Sequence, residues 1–222
     1  MTVGDASPRP SRLVLVAGTG TEVGKTFVAA ALARRLRADG RTVAARKPAQ
    51  SFDPADPEPT DAEVLGAATG EPPQEVCPPE RWYPVPLAPP MAATRLGRAP
   101  VRLDDLVAAL TWPPAVDVGL IETAGGVRAP QADDGDVVDL VGRVAPDDVL
   151  LVADAGLGTI NHVRLSADAL GRDRLHVLLN RYDPDDPLHV DNHRWLTERD
   201  GLTVYTSAEA VADHLHGRLP GA

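Results

Sequence analysis

Lysine is nearly absent from this chain of 222 residues, because its 22 basic residues are 20 arginines and two lysines, Lys25 and Lys47. Lysine carries a compact charge with rotatable donors, whereas arginine carries a planar fork, so the two side chains are not interchangeable at a binding site. A chain that uses lysine at only two positions therefore marks both as candidate site residues.

Cysteine and aromatic residues are also scarce. Cys77 is the single cysteine, which excludes an intramolecular disulfide and a cysteine-cluster metal site and suits a reducing cytoplasm. Only 4% of the residues are aromatic, which argues against a stacking surface for single-stranded nucleic acid. The formal net charge of −10 repels a phosphate backbone, so we expect no nucleic-acid partner.

Long apolar runs are missing as well. No stretch approaches the ~20 apolar residues that a membrane-spanning helix needs, so we expect no membrane partner and a cytoplasmic location. Residues 1–11 lack the apolar core of a signal peptide and are predicted to form a disordered tail. Residues 12–222 are sufficient for a single α/β domain with a substantial core, since 43% of the chain is apolar.

The most informative stretch lies between an apolar run at residues 13–17 and an alanine-rich helical pattern at 27–37. Strand, glycine-rich turn and helix form the context of a phosphate-binding loop, in which backbone amides and the positive helix end bind the anion. Lys25 would reach the terminal phosphates, and the Thr26 hydroxyl would bind Mg²⁺. The loop residues are Gly18, Thr19, Gly20, Thr21, Glu22, Val23, Gly24, Lys25 and Thr26.

The spacing of this loop is a variant. Five residues separate Gly18 from Gly24, where the usual pattern has four. An ordinary Gly/Thr turn before a helix is the alternative interpretation. The coincidence of a strand, three glycines, Lys-Thr and an immediate helix favours phosphate binding.

Strand and helix patterns alternate along the rest of the chain. This alternation predicts a three-layer α/β fold of the P-loop NTPase type, with a mostly parallel central sheet and helices on both faces. Further strands are predicted at 41–46, 116–121, 148–153, 176–180 and 202–206. Helices are predicted at 60–69, 103–110 and 136–144, from the segment 156–162 to residue 170, and at 207–216, the last capped by Thr206 with Glu209. Loops are predicted at 52–60, 71–100 and 183–191.

Two charged residues follow predicted strands. Lys47 comes directly after the second strand, and Glu122 ends a buried strand beside Gly125 and Gly126. Ligands of open α/β sheets bind along the edge where the carboxyl ends of the strands lie. Glu122 is therefore predicted to hold Mg²⁺ directly or through water, the alternative being a merely solvated acid.

Other polar residues leave two interpretations open. Asp61 either complements the dipole of a helix capped by Thr60 and Glu63, or faces a metal. Thr159 and Asn161 are good helix caps as well as possible site residues. His189 and His193 are four apart, with Asp191 between them, but no third ligand and no regular element support a metal site there.

The ordered set of motifs resembles dethiobiotin synthetase, a small P-loop ligase of biotin synthesis. The resemblance covers roughly residues 13–210 and includes the extra residue of the loop. Its other segments are Lys47-Pro48-Ala49-Gln50-Ser51, Asp61, Glu122-Thr123-Ala124-Gly125-Gly126, Gly158-Thr159-Ile160-Asn161-His162 and Asn180. The sequence departs from the family at Phe52, Pro90 and Thr123. At the end of the sixth predicted strand it reads Tyr205-Thr206-Ser207, without the proline that usually borders the base pocket in the family.

The resemblance implies a reaction, in which ATP or another nucleoside triphosphate, with Mg²⁺, joins CO₂ to diaminopelargonate. An amine captures CO₂ as a carbamate, the carbamate attacks the γ-phosphate, and the second amine displaces phosphate. It also implies a homodimer, in which the partner subunit completes the surface for the substrate tail. Segments 81–96 and the helix start at Asn161 are the candidates for that surface.

The resemblance also assigns roles to individual residues. Lys25, Lys47 and Thr21 are the catalytic residues, and the alternative role for Glu22 is to orient a substrate amine. The nucleotide is bound by Gly20, Thr21, Glu22, Val23, Gly24, Lys25 and Thr26, with Asn180 facing the base. The metal is bound by Thr26, Asp61 and Glu122. The substrate is bound by Lys47, Ser51, Gly125, Gly126 and Asn161.

Two rival functions remain open from the sequence. A regulatory P-loop ATPase of the partitioning or septum-site kind carries a second lysine five residues before the main one, and this chain has Gly20 there. A relative of dethiobiotin synthetase with altered substrate or a nucleotide-dependent interaction role is the other, motivated by Phe52, Pro90 and Thr123.

Overall fold

The computed structural model describes residues 9–219, in which strands and helices alternate. The strands are β1 (Arg12–Gly18), β2 (Val43–Arg46), β3 (Gln50–Ser51), β4 (Trp82–Tyr83), β5 (Val118–Glu122), β6 (Pro130–Ala132), β7 (Gly135–Asp136), β8 (Asp148–Asp154), β9 (Leu175–Asn180) and β10 (Thr203–Tyr205). The helices are α1 (Lys25–Ala38), α2 (Asp61–Thr69), α3 (Pro73–Val76), α4 (Pro89–Arg95), α5 (Leu103–Ala108), α6 (Val137–Val144), α7 (Thr159–Leu170), α8 (Pro187–Arg194) and α9 (Ala208–His216).

The central sheet is parallel throughout the described residues. Its six strands lie in the order β10-β9-β8-β1-β5-β2, so that β1 is in the middle, paired with β8 on one side and β5 on the other. All six strands end at the same edge, because parallel strands share one direction. The predicted α/β class with a parallel central sheet is confirmed.

Alternate residues of β1 enter two separate hydrophobic cores. Leu13 and Leu15 pack in a core with residues of α5, α6 and α7. Val14 and Val16 pack in a second core with residues of α1, α2 and α9. Because successive side chains of a strand point to opposite faces, the sheet is covered on both sides, and three layers result.

The structure corrects the long irregular segment predicted at residues 71–100. This stretch contains α3, a 3₁₀ turn at Pro79–Arg81, β4 and α4. Pro73, Pro79 and Pro89 each stand in the first turn of one of these short helices. Proline is well suited to that position, because its missing N–H would have no helical partner there.

The structure also corrects the acidic loop predicted at residues 183–191. Helix α8 begins within it at Pro187, and the Asp186 side chain caps it by accepting a hydrogen bond from the Leu188 amide at 2.8 Å. A π-helical turn, Trp195–Arg199, continues α8. The cap of the last helix was misplaced by one residue, since Ser207, not Thr206, accepts from the Ala210 amide.

The disordered tail predicted at residues 1–11 is corrected at its end. Pro10 is buried, and the Ser11 amide donates to the Val116 carbonyl at 2.9 Å, so residues 9–11 lie against the sheet. Residues 1–8 lie outside the described part of the chain. Among the helices of residues 9–219, none combines the length and apolar character that crossing a membrane demands.

Candidate active site

The glycine-rich turn between β1 and α1 is fixed by contacts from distant parts of the chain. Gly24 has a φ of 91°, and a Cβ atom there would lie 2.1 Å from the Nδ2 atom of Asn180. Glycine is therefore required at position 24 both for backbone conformation and for space. Asn180, at the end of β9, donates from Nδ2 to the Val23 carbonyl at 3.0 Å.

Arg181 holds the same turn one residue further on. Its guanidinium donates to the Glu22 carbonyl at 3.0 Å and to the Asp154 carboxylate at 2.9 Å. Glu22 and Arg181 both adopt left-handed backbone conformations, with φ values of 62° and 58°. Such conformations are unfavourable for side chains with a Cβ, so the contacts between the two segments must offset the strain.

Lys25 lies inside this turn and is 7% exposed. Its Nζ atom donates to the Gly20 carbonyl at 3.0 Å. Burial lowers the pKa of Lys25 to about 8, and the nearby positive charge of Lys47 acts in the same direction. A bound phosphate anion would favour the protonated form, which makes this ammonium a group poised to pair with an anion.

Lys47 reaches a cluster of oxygen ligands at the carboxyl ends of the strands. Its Nζ atom lies 2.7 Å from Asp61 Oδ2 and 2.6 Å from Glu122 Oε1. The Thr26 hydroxyl lies 2.8 Å from both Asp61 Oδ1 and Glu122 Oε1 and can donate to one of them at a time. The structure thus brings together four residues that the sequence predicts for this site.

The charges in this cluster depend on one another. Burial alone would lower the pKa of Lys47, but the carboxylates of Asp61 and Glu122 raise it above its usual value. Burial raises the pKa of Glu122, which lies deepest in the cluster. Burial would also raise the pKa of Asp61, but Lys47 and the Thr26 hydroxyl lower it. Lys47 is therefore a firmly protonated cation held between two acids.

The donor set of this cluster fits Mg²⁺. Within residues 9–219 no hydrogen-bond partner is present for Glu122 Oε2, although this atom is buried. A buried carboxylate oxygen without a partner is costly and is well suited to a cation. Together with the Asp61 carboxylate and the Thr26 hydroxyl, it supplies the hard oxygen ligands that Mg²⁺ prefers.

A cavity of about 820 Å³ opens over this cluster and the glycine-rich turn. Within it, the Ser51 hydroxyl is buried and lacks a hydrogen-bond partner in the described structure, so it is available to a ligand. The predicted site residues that line the cavity are Thr21, Glu22, Gly24, Lys25, Thr26, Lys47, Ser51, Asp61, Glu122 and Gly125.

Five predicted site residues do not line the cavity as described: Gly20, Val23, Gly126, Asn161 and Asn180. Gly126 packs against the glycine-rich turn: a Cβ atom at position 126 would lie only 3.3 Å from Gly20 Cα. Asn161 is exposed on α7. The helix begins at Thr159 with Gly158 as its cap, so the alternative role of Thr159 and Asn161 as caps is wrong.

Arg181 and Gln131 are two residues of the site that were missed from the sequence. Arg181 lines the cavity, as does Phe52, which the resemblance had already marked as a departure from the family. Gln131 is buried and exchanges hydrogen bonds of 2.8 and 3.0 Å with the backbone of Ala124, which shapes the turn after β5. Only Arg181 carried a usable signal, since it follows Asn180 at the end of a buried strand.

Comparison with known proteins shows the family. A family model described as an AAA domain matches residues 12–213. Over 197 residues, 86% of this chain and 81% of the relative, the chain is 41% identical to the ATP-dependent dethiobiotin synthetase BioD of Haloferax mediterranei. The chain belongs to the dethiobiotin synthetase family. The synthetase of Anaeromyxobacter dehalogenans is 40% identical over 87% of this chain and 89% of its own length.

Solved structures of lower similarity show the fold alone. The signal recognition particle receptor FtsY from Elizabethkingia anophelis superposes with a TM-score of 0.52 at 16% identity, covering 96% of this chain and 67% of the receptor. Chloroplast FtsY from Physcomitrella patens gives a TM-score of 0.51 at 18% identity, covering 95% and 66%. Together with the AAA domain match, these likenesses support the predicted P-loop NTPase type of fold.

Two of the residues that depart from the dethiobiotin synthetase pattern, Thr123 and Pro90, do not line the cavity. Thr123 is completely buried, and its hydroxyl donates to the Val16 carbonyl at 3.3 Å, within the sheet. Pro90 is buried in the first turn of α4. Phe52 differs, because its side chain lines the cavity beside Ser51. Of these three departures, only Phe52 reaches the space open to a substrate.

Proposed function

We propose that this chain is an ATP-dependent dethiobiotin synthetase, which closes the ureido ring of dethiobiotin from 7,8-diaminopelargonate and CO₂. The observation that carries the proposal is the meeting of Lys25, Lys47 and the Asp61–Glu122 acid pair in one cavity. Relatives that match most of this chain and most of their own length carry that name. As a biosynthetic enzyme, it is placed in the cytoplasm.

The reaction has three steps. One amine of diaminopelargonate attacks CO₂ and loses a proton, giving a carbamate. A carbamate oxygen attacks the γ-phosphorus of ATP, and ADP leaves. The second amine attacks the carbonyl carbon of the carbamic-phosphoric anhydride, phosphate leaves, and the ring closes with loss of a proton. The protein contributes chiefly position and charge, as in phosphoryl transfer generally.

The two lysines are assigned to neutralise the negative charge of the triphosphate and the carbamate. Lys25, inside the turn, is assigned to the β- and γ-phosphates, and Lys47 to the γ-phosphate and the carbamate. The Thr21 hydroxyl lines the cavity and is assigned to the transferring phosphoryl oxygens. The unpartnered Ser51 hydroxyl is assigned to the carbamate. The two ammonium groups already lie at the cavity in the free site, and donors placed in advance reduce the reorganisation needed in the transition state.

Thr26, Asp61 and Glu122 are assigned to Mg²⁺. When bound, the ion would neutralise phosphate charge and polarise the phosphoryl group that the carbamate attacks. Lys47 contacts one oxygen of each acid in the free site, so the unpartnered Glu122 Oε2 would be available to the ion beside the ammonium. The ammonium of Lys47 lines the same cavity, where it would face the anionic reactants.

A homodimer is part of the proposal, because Asn161 lies outside the cavity of its own chain. It stands on α7, whose neighbouring surface is apolar: Leu157 is 90% exposed and Leu165 is 64% exposed. A second copy packed on this face would cover both leucines and bring Asn161 to the neighbouring site. Sedimentation of wild-type protein and of Leu165→Glu tests this, with a dimer expected for the former and a monomer for the latter.

The function is tested by supplying Mg²⁺, bicarbonate and diaminopelargonate with each nucleoside triphosphate in turn. Dethiobiotin is measured by mass and phosphate by colour, and parallel reactions omit diaminopelargonate. We expect dethiobiotin and phosphate to form in equal amounts, and the preferred triphosphate to be identified by the rate. Phosphate release independent of the diamine, or product absent with every triphosphate, contradicts the proposal and favours the rival functions.

A further inference from the structure

A second group of ligand-type side chains lies at the opposite edge of the sheet from the cavity. Asp148 is the first residue of β8, His176 is the second residue of β9, and His214 belongs to α9. The far end of β8, Asp154, contacts Arg181 of the active site. Since a strand rises ~3.3 Å per residue, the length of β8 separates the two places by about 20 Å.

The three side chains converge on one point. One ring nitrogen of each histidine and one carboxylate oxygen of Asp148 all lie within 4.8 Å of one another. His176 Nε2 is 3.2 Å from Asp148 Oδ1, and the centroids of the two imidazole rings are 4.7 Å apart. Tyr205 closes one side of the group, with its ring 5.9 and 5.7 Å from those of His176 and His214.

Two of the histidine nitrogens are buried and lack partners. Among the described residues, no group forms a hydrogen bond with His176 Nδ1 or with His214 Nε2. Buried polar atoms are normally satisfied, so each unpartnered nitrogen calls for a ligand or a structural reason.

We propose that Asp148, His176 and His214 bind a divalent transition-metal ion that prefers imidazole, such as Zn²⁺. Two imidazoles and one carboxylate are a common protein ligand set for zinc, and water would complete the coordination. Mg²⁺ and Ca²⁺ prefer sites made of oxygen atoms alone, so this site is expected to reject them. The bound ion would connect two strands of the sheet to α9.

Two arginines set limits on this site. Arg12 holds Asp148 through hydrogen bonds of 2.5 and 2.9 Å, and Arg218 lies 3.7 Å from the same carboxylate. Hydrogen bonds to a ligating carboxylate fix its orientation, and Arg12 is suited to that role. Both positive charges also oppose the approach of a cation, so ions without a strong preference for imidazole should be excluded.

The test is a titration of tag-free protein with Zn²⁺ by calorimetry, and with Co²⁺ by its visible absorption, at millimolar Mg²⁺. The magnesium keeps the acids of the active site occupied. We expect one site in the wild type, an affinity reduced about 100-fold or more in His214→Ala and in His176→Ala, and no change in His193→Ala. His193 is the matched control, because it belongs to α8 and lies outside the group.

Thermal unfolding supplies the second measurement. Zn²⁺ should raise the midpoint temperature of thermal unfolding of the wild type and of His193→Ala. It should not raise that of His214→Ala or of the milder variant His214→Gln. The turnover of all four proteins with Mg²⁺ should be alike, since the group is remote from the cavity. Equal Zn²⁺ affinity in wild type and His214→Gln, or no binding to the wild type at micromolar Zn²⁺, would overturn the proposal.

Discussion

The ammonium of Lys47 lies 2.6 Å from the Glu122 carboxylate, and both side chains are almost completely buried, at 2% and 1% exposure. A buried charge is costly unless it is paired, so each of these groups makes the burial of the other possible. Asp61 shares the same ammonium at 2.7 Å. In the free site, the charges assigned to catalysis are therefore paired with one another: the Lys47 ammonium compensates the carboxylates of Asp61 and Glu122.

Replacing Lys47 tests its assigned role. Lys47→Ala should lower turnover by roughly 10²-fold or more, as the loss of a preorganised charge donor often does. Binding of nucleotide should be affected less, because Lys25 and the turn remain. Initial rates of dethiobiotin formation and nucleotide titration measure the two effects. A near-normal rate in a folded Lys47→Ala protein would remove the residue from the mechanism.

Replacing Glu122 tests the assignment of the metal. Glu122→Gln keeps the shape of the side chain but removes its charge, so Mg²⁺ should bind more weakly. The Mg²⁺ concentration for half-maximal activity should rise roughly 10-fold or more. Glu75→Gln, which removes an exposed carboxylate of the same type, is the control and should behave as wild type. Equal Mg²⁺ dependence in both variants would contradict the assignment.

Gly24 and Gly40 form a natural pair for testing the turn. Both have positive φ, 91° and 81°, but only at Gly24 would a Cβ atom collide, 2.1 Å from Asn180. Gly24→Ala should displace the turn and lower turnover about 10²-fold, because small misplacements at a reacting centre are that costly. Gly40→Ala should cost about 1 kcal/mol of stability through backbone strain and leave activity intact. Steady-state kinetics and urea unfolding separate the two effects.

Arg181 is predicted to position the phosphate-binding turn. Arg181→Ala removes the donor to the Glu22 carbonyl and should raise the KM for the nucleotide about 10-fold, with a smaller change in kcat, as expected for one charge-assisted hydrogen bond. Arg194→Ala is the matched control, because Arg194 pairs with Asp191 on the surface of α8. If the two variants have the same KM, the contact with Glu22 does not position the turn.

Acid stability should depend on Asp148. Burial alone would raise the pKa of this carboxyl, but hydrogen bonds from His176 and Arg12 lower it to about 2 from 3.8. A depressed folded-state pKa contributes stability above the unfolded value and loses it as the pH falls, here between about pH 5 and pH 2. Asp148→Asn should be about 2 kcal/mol less stable at pH 7, in the presence of a chelator. Urea unfolding should show the difference shrinking through that pH range.

The acid–lysine cluster was accessible from the sequence for a topological reason. Lys47 and Glu122 each follow a buried strand, and parallel strands end at one edge of the sheet, so their proximity follows from the class of fold. Asp61 needed the structure, because the start of a helix is an equally good place for an acid that faces no metal. Its contact with Lys47 places it beside Glu122 in the cavity, which supports the proposed metal role.

The residues that escaped prediction depend on contacts between distant segments. Arg181 is 159 positions from Glu22, and no local pattern announces that pair. Helix α8 was not predicted for a different reason: the residues that lead into it are acidic and include a proline, a composition typical of a loop. Pro187 and Asp186 are in fact a helix start and its cap, and the apolar periodicity that normally reveals a helix is weak there.

Both lysines of the chain lie in the active site, and this has a practical use. An amine-selective reagent can modify only Lys25, Lys47 and the amino terminus of the chain. Lys25, with a pKa of about 8, is partly deprotonated near neutral pH and is the more nucleophilic of the two. Peptide mass mapping of labelled protein can therefore report whether a ligand occupies the active site, through the extent of labelling at the two lysines. The arginines do not contribute, because an amine-selective reagent does not modify them.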